Sequence, residues 1–140
     1  MTINEIQDKI VADFELFDDW DDRYAYIIEL GKKLAPLEER YKTDDHKVRG
    51  CQSNVWLHAF TDKQHRLIFE AESDAVIVKG LVSLLVKALS GHPAEEVAKA
   101  DLYFMDKIGL QQHLSMTRAN GLASMVKQMK NYALALQKVN

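Results

Sequence analysis

"NVWLHAFTDKQHRLIFEAES", residues 54–73, decides the fold. Leu67, Phe69 and Ala71 alternate with Arg66, Ile68, Glu70 and Glu72, the period of two that marks a strand covered on one face only. "NVWLHAFTD" and "RLIFEAES" flank the polar turn "KQH", so the stretch reads as a half-exposed antiparallel hairpin. On either side of it the apolar spacing is helical.

Upstream, "INEIQDKIVADFELF" (3–17) spaces Ile3, Ile6, Ile10 and Phe14 or Phe17 for an amphipathic helix. Asp18, Asp19, Asp21 and Asp22 surround Trp20 at the start of a second helix, about Trp20 to Lys33, with Trp20, Tyr24, Ile27, Ile28 and Gly31 on one face. The charged, proline-containing "LAPLEERYKTDDH" ends it, and a short strand around "HKVRG" is expected to join the hairpin. Downstream, "SDAVIVKGLVSLLVKALSG" reads as a central buried helix, with Ser73 or Asp74 as N-cap, Gly91 beyond its end and a single polar stripe of Lys79, Ser83 and Lys87. "HPAEEVAKA" starts a shorter helix, "YFMDKIGL" is one short element, and Leu122, Met125, Val126, Met129, Ala133 and Leu136 mark a long helix after Ser115. Helices, three strands, then helices is the order of an α+β fold with helices packed on one face of a small antiparallel sheet. With 140 residues, 47% of them hydrophobic and no repeat, the chain is expected to be one domain, 1–140.

Eighteen basic against 21 acidic residues give a net charge of −3, which supplies no positive field to hold phosphate backbones and argues against nucleic acid as a partner. "MTINEIQDKI" lacks the pattern of a signal peptide, and the greasiest stretch, "AVIVKGLVSLLVKAL", is interrupted by Lys79, Gly80 and Lys87. The expectation is a cytoplasmic protein without a membrane span.

The chain holds one cysteine, Cys51, within "VRGCQSNVW" (48–56). A single thiol forms no internal disulfide and offers one ligand where thiolate zinc sites and cluster scaffolds use three or four. A lone cysteine is most often an inert core residue, but Gly50, Gln52, Ser53 and Asn54 suit a surface turn, where the thiol is reachable. Arg49 and Lys47 would favour thiolate if they face it, and are otherwise ordinary exposed strand residues. A hydrolase needs a histidine base beside the sulfur, yet His46, His65, His92 and His113 are scattered, and His58 shares a strand face with Trp56 and Phe60. No cysteine or histidine pair has metal-ligand spacing, and neither metal nor cofactor is expected. Chemistry in which one sulfur suffices remains: accepting a group, holding it and passing it on.

Several blocks then match one family in order: Trp20 with Arg23 and Tyr24; "IIELGKKL"; Gly50, Cys51, Gln52 and Ser53 followed by Val55 and Trp56; "SDAVIVKGL"; and Leu114, Ser115, Arg118, Asn120, Gly121 and Leu122. The chain resembles the SufE family of sulfur acceptors. That resemblance implies a SufE/NifU-like fold with the cysteine in a loop between strands. It also implies that Cys51 takes persulfide sulfur from a pyridoxal-phosphate-dependent cysteine desulfurase, SufS-like or CsdA-like, stimulates that enzyme, and passes the sulfur to an iron–sulfur scaffold such as SufBCD. The protein would then be an accessory carrier, not an enzyme, and the pyridoxal phosphate belongs to the partner.

Gly50 and Gln52 flank the acceptor, Asp74 resembles a family position near the cysteine loop, and Arg118 resembles the arginine at the head of the last helix. Simple helix capping for Asp74, and a buried salt bridge or cap for Arg118, are the plainer alternatives; Trp20, Tyr24 and Trp56 read as core. One departure is "LAPL", where Pro36 comes a residue later than in the family pattern. A module that activates a desulfurase without taking sulfur, and an independent thiol enzyme, stand as rivals, and a homodimer is left open. A persulfide must be kept from other thiols, so the loop is expected to tuck Cys51 against apolar side chains, with Val55 and Leu57 as candidates.

Overall fold

The computed structural model describes residues 1–137. Helix α1 (Ile3–Phe14) opens with a capping box: Thr2 Oγ1 accepts from the Glu5 amide at 3.1 Å and Glu5 Oε1 from the Thr2 amide at 3.0 Å. It buries Ile3, Ile10 and Phe14, and also Gln7, whose side chain donates to the Asp101 carbonyl at 3.0 Å and accepts from the Phe104 amide at 3.2 Å. A fully buried amide is tolerable only with such partners. Helix α2 (Trp20–Lys32) starts at Asp19, whose carboxylate accepts from the Asp22 amide at 2.9 Å.

Strands β1 (Val55–Thr61) and β2 (Arg66–Ser73) form the hairpin, pairing Leu57 with Ala71 and Ala59 with Phe69. The sheet has three strands in the order β1-β2-β3, but the third is not "HKVRG". That segment makes one bridge, Lys47 to Trp56, with the Val48 amide donating to the Val55 carbonyl at 2.8 Å, before Gly50 at φ +91° turns the chain away. Strand β3 is His92–Pro93, paired with Leu67 and Arg66 of β2. Gly91, at φ +89°, lets the chain reverse there; its amide donates to the Leu67 carbonyl at 2.8 Å, and Ser90 Oγ accepts from the Phe69 amide at 2.9 Å. Pro93 lacks an amide hydrogen and ends the ladder at the sheet edge.

Helix α3 (Val76–Leu89) runs between the sheet and α2, which explains why all but its Lys79–Ser83–Lys87 stripe is apolar. Its N-cap position falls on Ala75, so neither Ser73 nor Asp74 is the cap. Helices α2 and α3 touch backbone to backbone at Gly31 and Gly80: a Cβ on Gly80 would lie 2.2 Å from the Ile27 carbonyl oxygen. The remaining elements are α4 (Ala94–Lys99), the single turns α5 (Phe104–Lys107) and α6 (Leu110–His113), and α7 (Met116–Gln137), which lies along α4 and passes α3. The architecture is the expected α+β. Among the described residues no helix is long and apolar enough to cross a membrane.

Candidate functional site

Cys51 follows the left-handed turn at Gly50, in the loop between the Lys47 bridge and β1. That loop lies against α7. A Cβ on Gly50 would stand 2.5 Å from Ser124 Oγ, and one on Gly121, a turn earlier in the helix, would stand 3.4 Å from Cys51 Sγ. Gly121 thus leaves a notch in which the sulfur rests, donating to the Gly121 carbonyl at 3.5 Å. The residue is half-buried. Burial pushes the thiol pKa up, because the charged form loses hydration there. Of the two readings open for Lys47 and Arg49, the structure favours the plain one: Lys47 Nζ lies 3.5 Å from Asp44 Oδ1, Arg49 is exposed, and the shift of the thiol comes from desolvation. The free chain therefore carries a protonated, sheltered thiol at neutral pH.

An open groove of about 450 Å³ leads to the sulfur, with Val78 and Leu81 of α3 and Met125 of α7 as its apolar floor and Gln52, Ser53, Ser115, Thr117 and Arg118 at its polar edge. Val55 and Leu57, the candidate shelter, are buried in the core at 2% and 3% exposed and do not line this groove. Strand alternation sends them to the helix-covered face, so the apolar floor has to come from the helices.

Asp74 clamps the loop's exit: its carboxylate accepts from the Asn54 backbone amide at 3.1 Å and from Asn54 Nδ2 at 2.8 Å, while its own amide bonds the Asn54 carbonyl at 3.3 Å. Arg118, in the first turn of α7, is exposed and makes no ion pair among the described residues, which sets aside a buried salt bridge. Its amide bonds Ser115 Oγ at 3.2 Å and its side chain lines the groove. Cys51, Gln52 and Arg118 are thus brought together, Gly50 makes the turn, and Asp74 acts one step away through Asn54.

No histidine lines the groove. His58 stacks on Tyr41 at 3.7 Å and lies 5.7 Å from His46, His92 sits in β3, His113 stacks on Trp20 at 4.0 Å, and His65 makes the hairpin turn at φ 61°. A hydrolase would lack its base. Among the described residues no three His, Cys, Asp or Glu side chains are gathered to hold a metal. Nothing in the sequence marks Ser124, Val78 or Leu81 as neighbours of the thiol; a glycine within a helical apolar pattern was the available sign that α7 is closely approached at residue 121.

A family model described as SufE, Fe-S metabolism associated domain, matches residues 8–133. An uncharacterized SufE-like protein of Rhizobium meliloti is 48% identical over 130 residues, covering 90% of this chain and 93% of that protein. "SufE-like protein 1, chloroplastic/mitochondrial" of Arabidopsis thaliana is 45% identical over 115 residues, covering 82% of this chain and 31% of the longer plant protein. The solution structure of a hypothetical protein from Thermus thermophilus matches with a TM-score of 0.78 at 18% identity, covering 95% of this chain and 96% of that one, a likeness of fold.

Proposed function

The chain belongs to the SufE family, which gives it a sulfur-transfer role in iron–sulfur metabolism, and from that premise we propose that Cys51 is a persulfide acceptor for a pyridoxal-phosphate-dependent cysteine desulfurase, SufS-like or CsdA-like. The Cys51 thiolate attacks the outer sulfur of the persulfide on the desulfurase cysteine. A new sulfur–sulfur bond forms to Cys51, the old one breaks, and its electron pair leaves with the donor thiolate. The product is Cys51–S–SH and a desulfurase freed for its next turnover, which is how the carrier stimulates it. Passage to a scaffold such as SufBCD is the same exchange with Cys51 as leaving group.

The observation that carries this reading is the position of the only thiol: in a glycine notch, half-buried, at the end of a groove with an apolar floor and an arginine at its mouth. A carrier needs a sulfur hidden while idle and accessible on docking. The protonated resting thiol fits, because it withholds the nucleophile until the loop leaves its apolar bed.

The test is an intact-mass spectrum after incubation with the desulfurase, its cofactor and cysteine, followed by peptide mapping before any reductant. One added sulfur on the Cys51 peptide, absent without desulfurase and absent in Cys51→Ser, is the expected result. An unmodified Cys51 beside faster desulfurase turnover would mean a non-covalent activator, and turnover of a small substrate with no partner present would mean an independent thiol enzyme.

A further inference from the structure

Three side chains near the start of α2, Trp20, Arg23 and Tyr24, each reach the stretch that leads into α7. Arg23 Nε donates to the Phe17 carbonyl at 3.2 Å and its Nη1 to the Ile108 carbonyl at 3.2 Å. Trp20 stacks on the His113 ring at 4.0 Å with the planes 14° apart. The Tyr24 hydroxyl donates to the His113 carbonyl. Helix α6 is one turn, too short to hold an orientation of its own. Beyond it, Leu114 and Ser115 form the whole link to α7: Leu114 is buried, and Ser115 accepts from the Arg118 amide on Oγ at 3.2 Å and from the Ala119 amide on its carbonyl at 2.9 Å. An unbroken path therefore runs from the Tyr24 hydroxyl through the His113 carbonyl and Ser115 to the backbone of Arg118. With no ion pair on its guanidinium among the described residues, Arg118 is aimed at the groove by its backbone alone.

We infer that Tyr24 is a positioning residue for sulfur loading: its hydroxyl, by holding the His113 carbonyl, fixes the first turn of α7 and with it the placement of Arg118 beside Cys51. The inference rests on the reading of Cys51 as acceptor and of Arg118 as a contact for the donor. Without the hydroxyl, the His113 carbonyl loses its side-chain partner and the peptide is held only from its other end, by the Leu114 amide donating to the Leu110 carbonyl at 2.9 Å; the link loosens by that one bond, and Arg118 samples positions away from the groove mouth. The Tyr24 ring keeps its place in Tyr24→Phe, so the fold has no reason to fail.

The experiment follows the initial rate of sulfur uptake by Cys51 against desulfurase concentration, with cysteine saturating, for the wild-type chain, Tyr24→Phe, Arg118→Ala and the double variant. Loss of one hydrogen bond in the path is expected to raise the half-saturating desulfurase concentration about five-fold with the plateau rate unchanged. In the Arg118→Ala background the same substitution is expected to change nothing, because its route of action is gone. A shift of equal size in that background would overturn the proposal, since Tyr24 would then act elsewhere. So would a Tyr24→Phe chain that loses thermal stability while its half-saturation stays at the wild-type value, or one that matches wild type in both. A wild-type chain that takes up no sulfur would instead bring down the acceptor reading, and this inference with it.

Discussion

Gly50→Ala places two penalties on the residue that turns the chain into Cys51. At φ +91° an L side chain is strained by about 1–2 kcal/mol. Its Cβ would also stand 2.5 Å from Ser124 Oγ and 3.3 Å from Ser124 Cβ. The oxygen has to retreat by roughly 1 Å, which a rotamer change or a small shift accomplishes for about 1 kcal/mol. The sum, about 2–3 kcal/mol, lies below the total stability of an ordinary domain, about 5–15 kcal/mol, so the chain stays folded. It exceeds what holds the loop on α7, a weak S–H···O bond at 3.5 Å and the packing over Gly121. The loop is therefore expected to lift from the helix, shifting its local opening by on the order of 30- to 150-fold. The assay is the rate at which Cys51 reacts with a small disulfide reagent, with urea-unfolded protein as the upper limit. Adding Ser124→Ala removes the clash but not the backbone strain, and is expected to slow the reaction again by about five-fold. A Gly50→Ala chain whose thiol reacts at the wild-type rate would refute the account of the loop as held by its fit to α7.

Gly80→Ala aims a methyl group at the Ile27 carbonyl oxygen from 2.2 Å, so α2 and α3 must separate; a loss of about 3–5 kcal/mol, or at least about 10 °C in Tm, is expected by calorimetry, and a change below about 3 °C would contradict the close approach. Asp74→Ala removes both carboxylate bonds from Asn54, and faster hydrogen exchange at the Asn54 amide, with about 1 kcal/mol lost globally, is expected; unchanged exchange would mean the clamp is idle. The rate of Cys51 alkylation against pH is expected to turn upward at a higher pH in folded protein than in urea, because burial raises the thiol pKa. His58, by contrast, has its pKa lowered by burial, with Glu70 opposing and His46, Arg40 and Glu38 also acting on it. The unfolded chain then takes up this proton first as pH falls, so stability is lost from about pH 6.5 downward. His58→Phe keeps a ring on Tyr41, and the difference in urea stability between pH 7 and pH 5 should narrow; an unaltered difference would assign the loss to other groups.

Periodicity carried most of the fold. The hairpin, the two N-terminal helices and α3 stand where the apolar spacing put them: the hairpin and the first two helices each keep an apolar and a polar face, and α3, packed between the sheet and α2, keeps a single polar stripe. The third strand was illegible for a physical reason: His92–Pro93 is two residues long, and what makes it a strand is the reversal at Gly91 together with the Ser90 hydroxyl, both visible only once β2 lies alongside. "HKVRG" looked better and failed because Gly50 turns out of the sheet after one bridge. At the site, the turn around Cys51 was legible from Gly50, Gln52 and Asn54, whereas its electrostatics were not. Sequence proximity of Lys47 and Arg49 left open whether they act on the thiol, and the burial that decides its state comes from α7, 70 residues away along the chain. Asp74 is at the head of α3 as its position suggested, but it spends its carboxylate on Asn54 because the hairpin brings the two strand ends together.

The two fastenings of the cysteine loop also set a length. The chain is tied at Val48 by its bond to Val55 and at Asn54 by its bonds to Asp74, and Cys51 is the midpoint of the span between them. A tether of six residues has a contour of roughly 20 Å, so an arch drawn out to its limit lifts its crown by no more than about 10 Å. Cys51 can swing, but it cannot travel. A donor whose sulfur lies deeper below its own surface than that arch can probe has to extend a flexible arm of its own, so the division of movement between giver and receiver is written into the spacing of two knots.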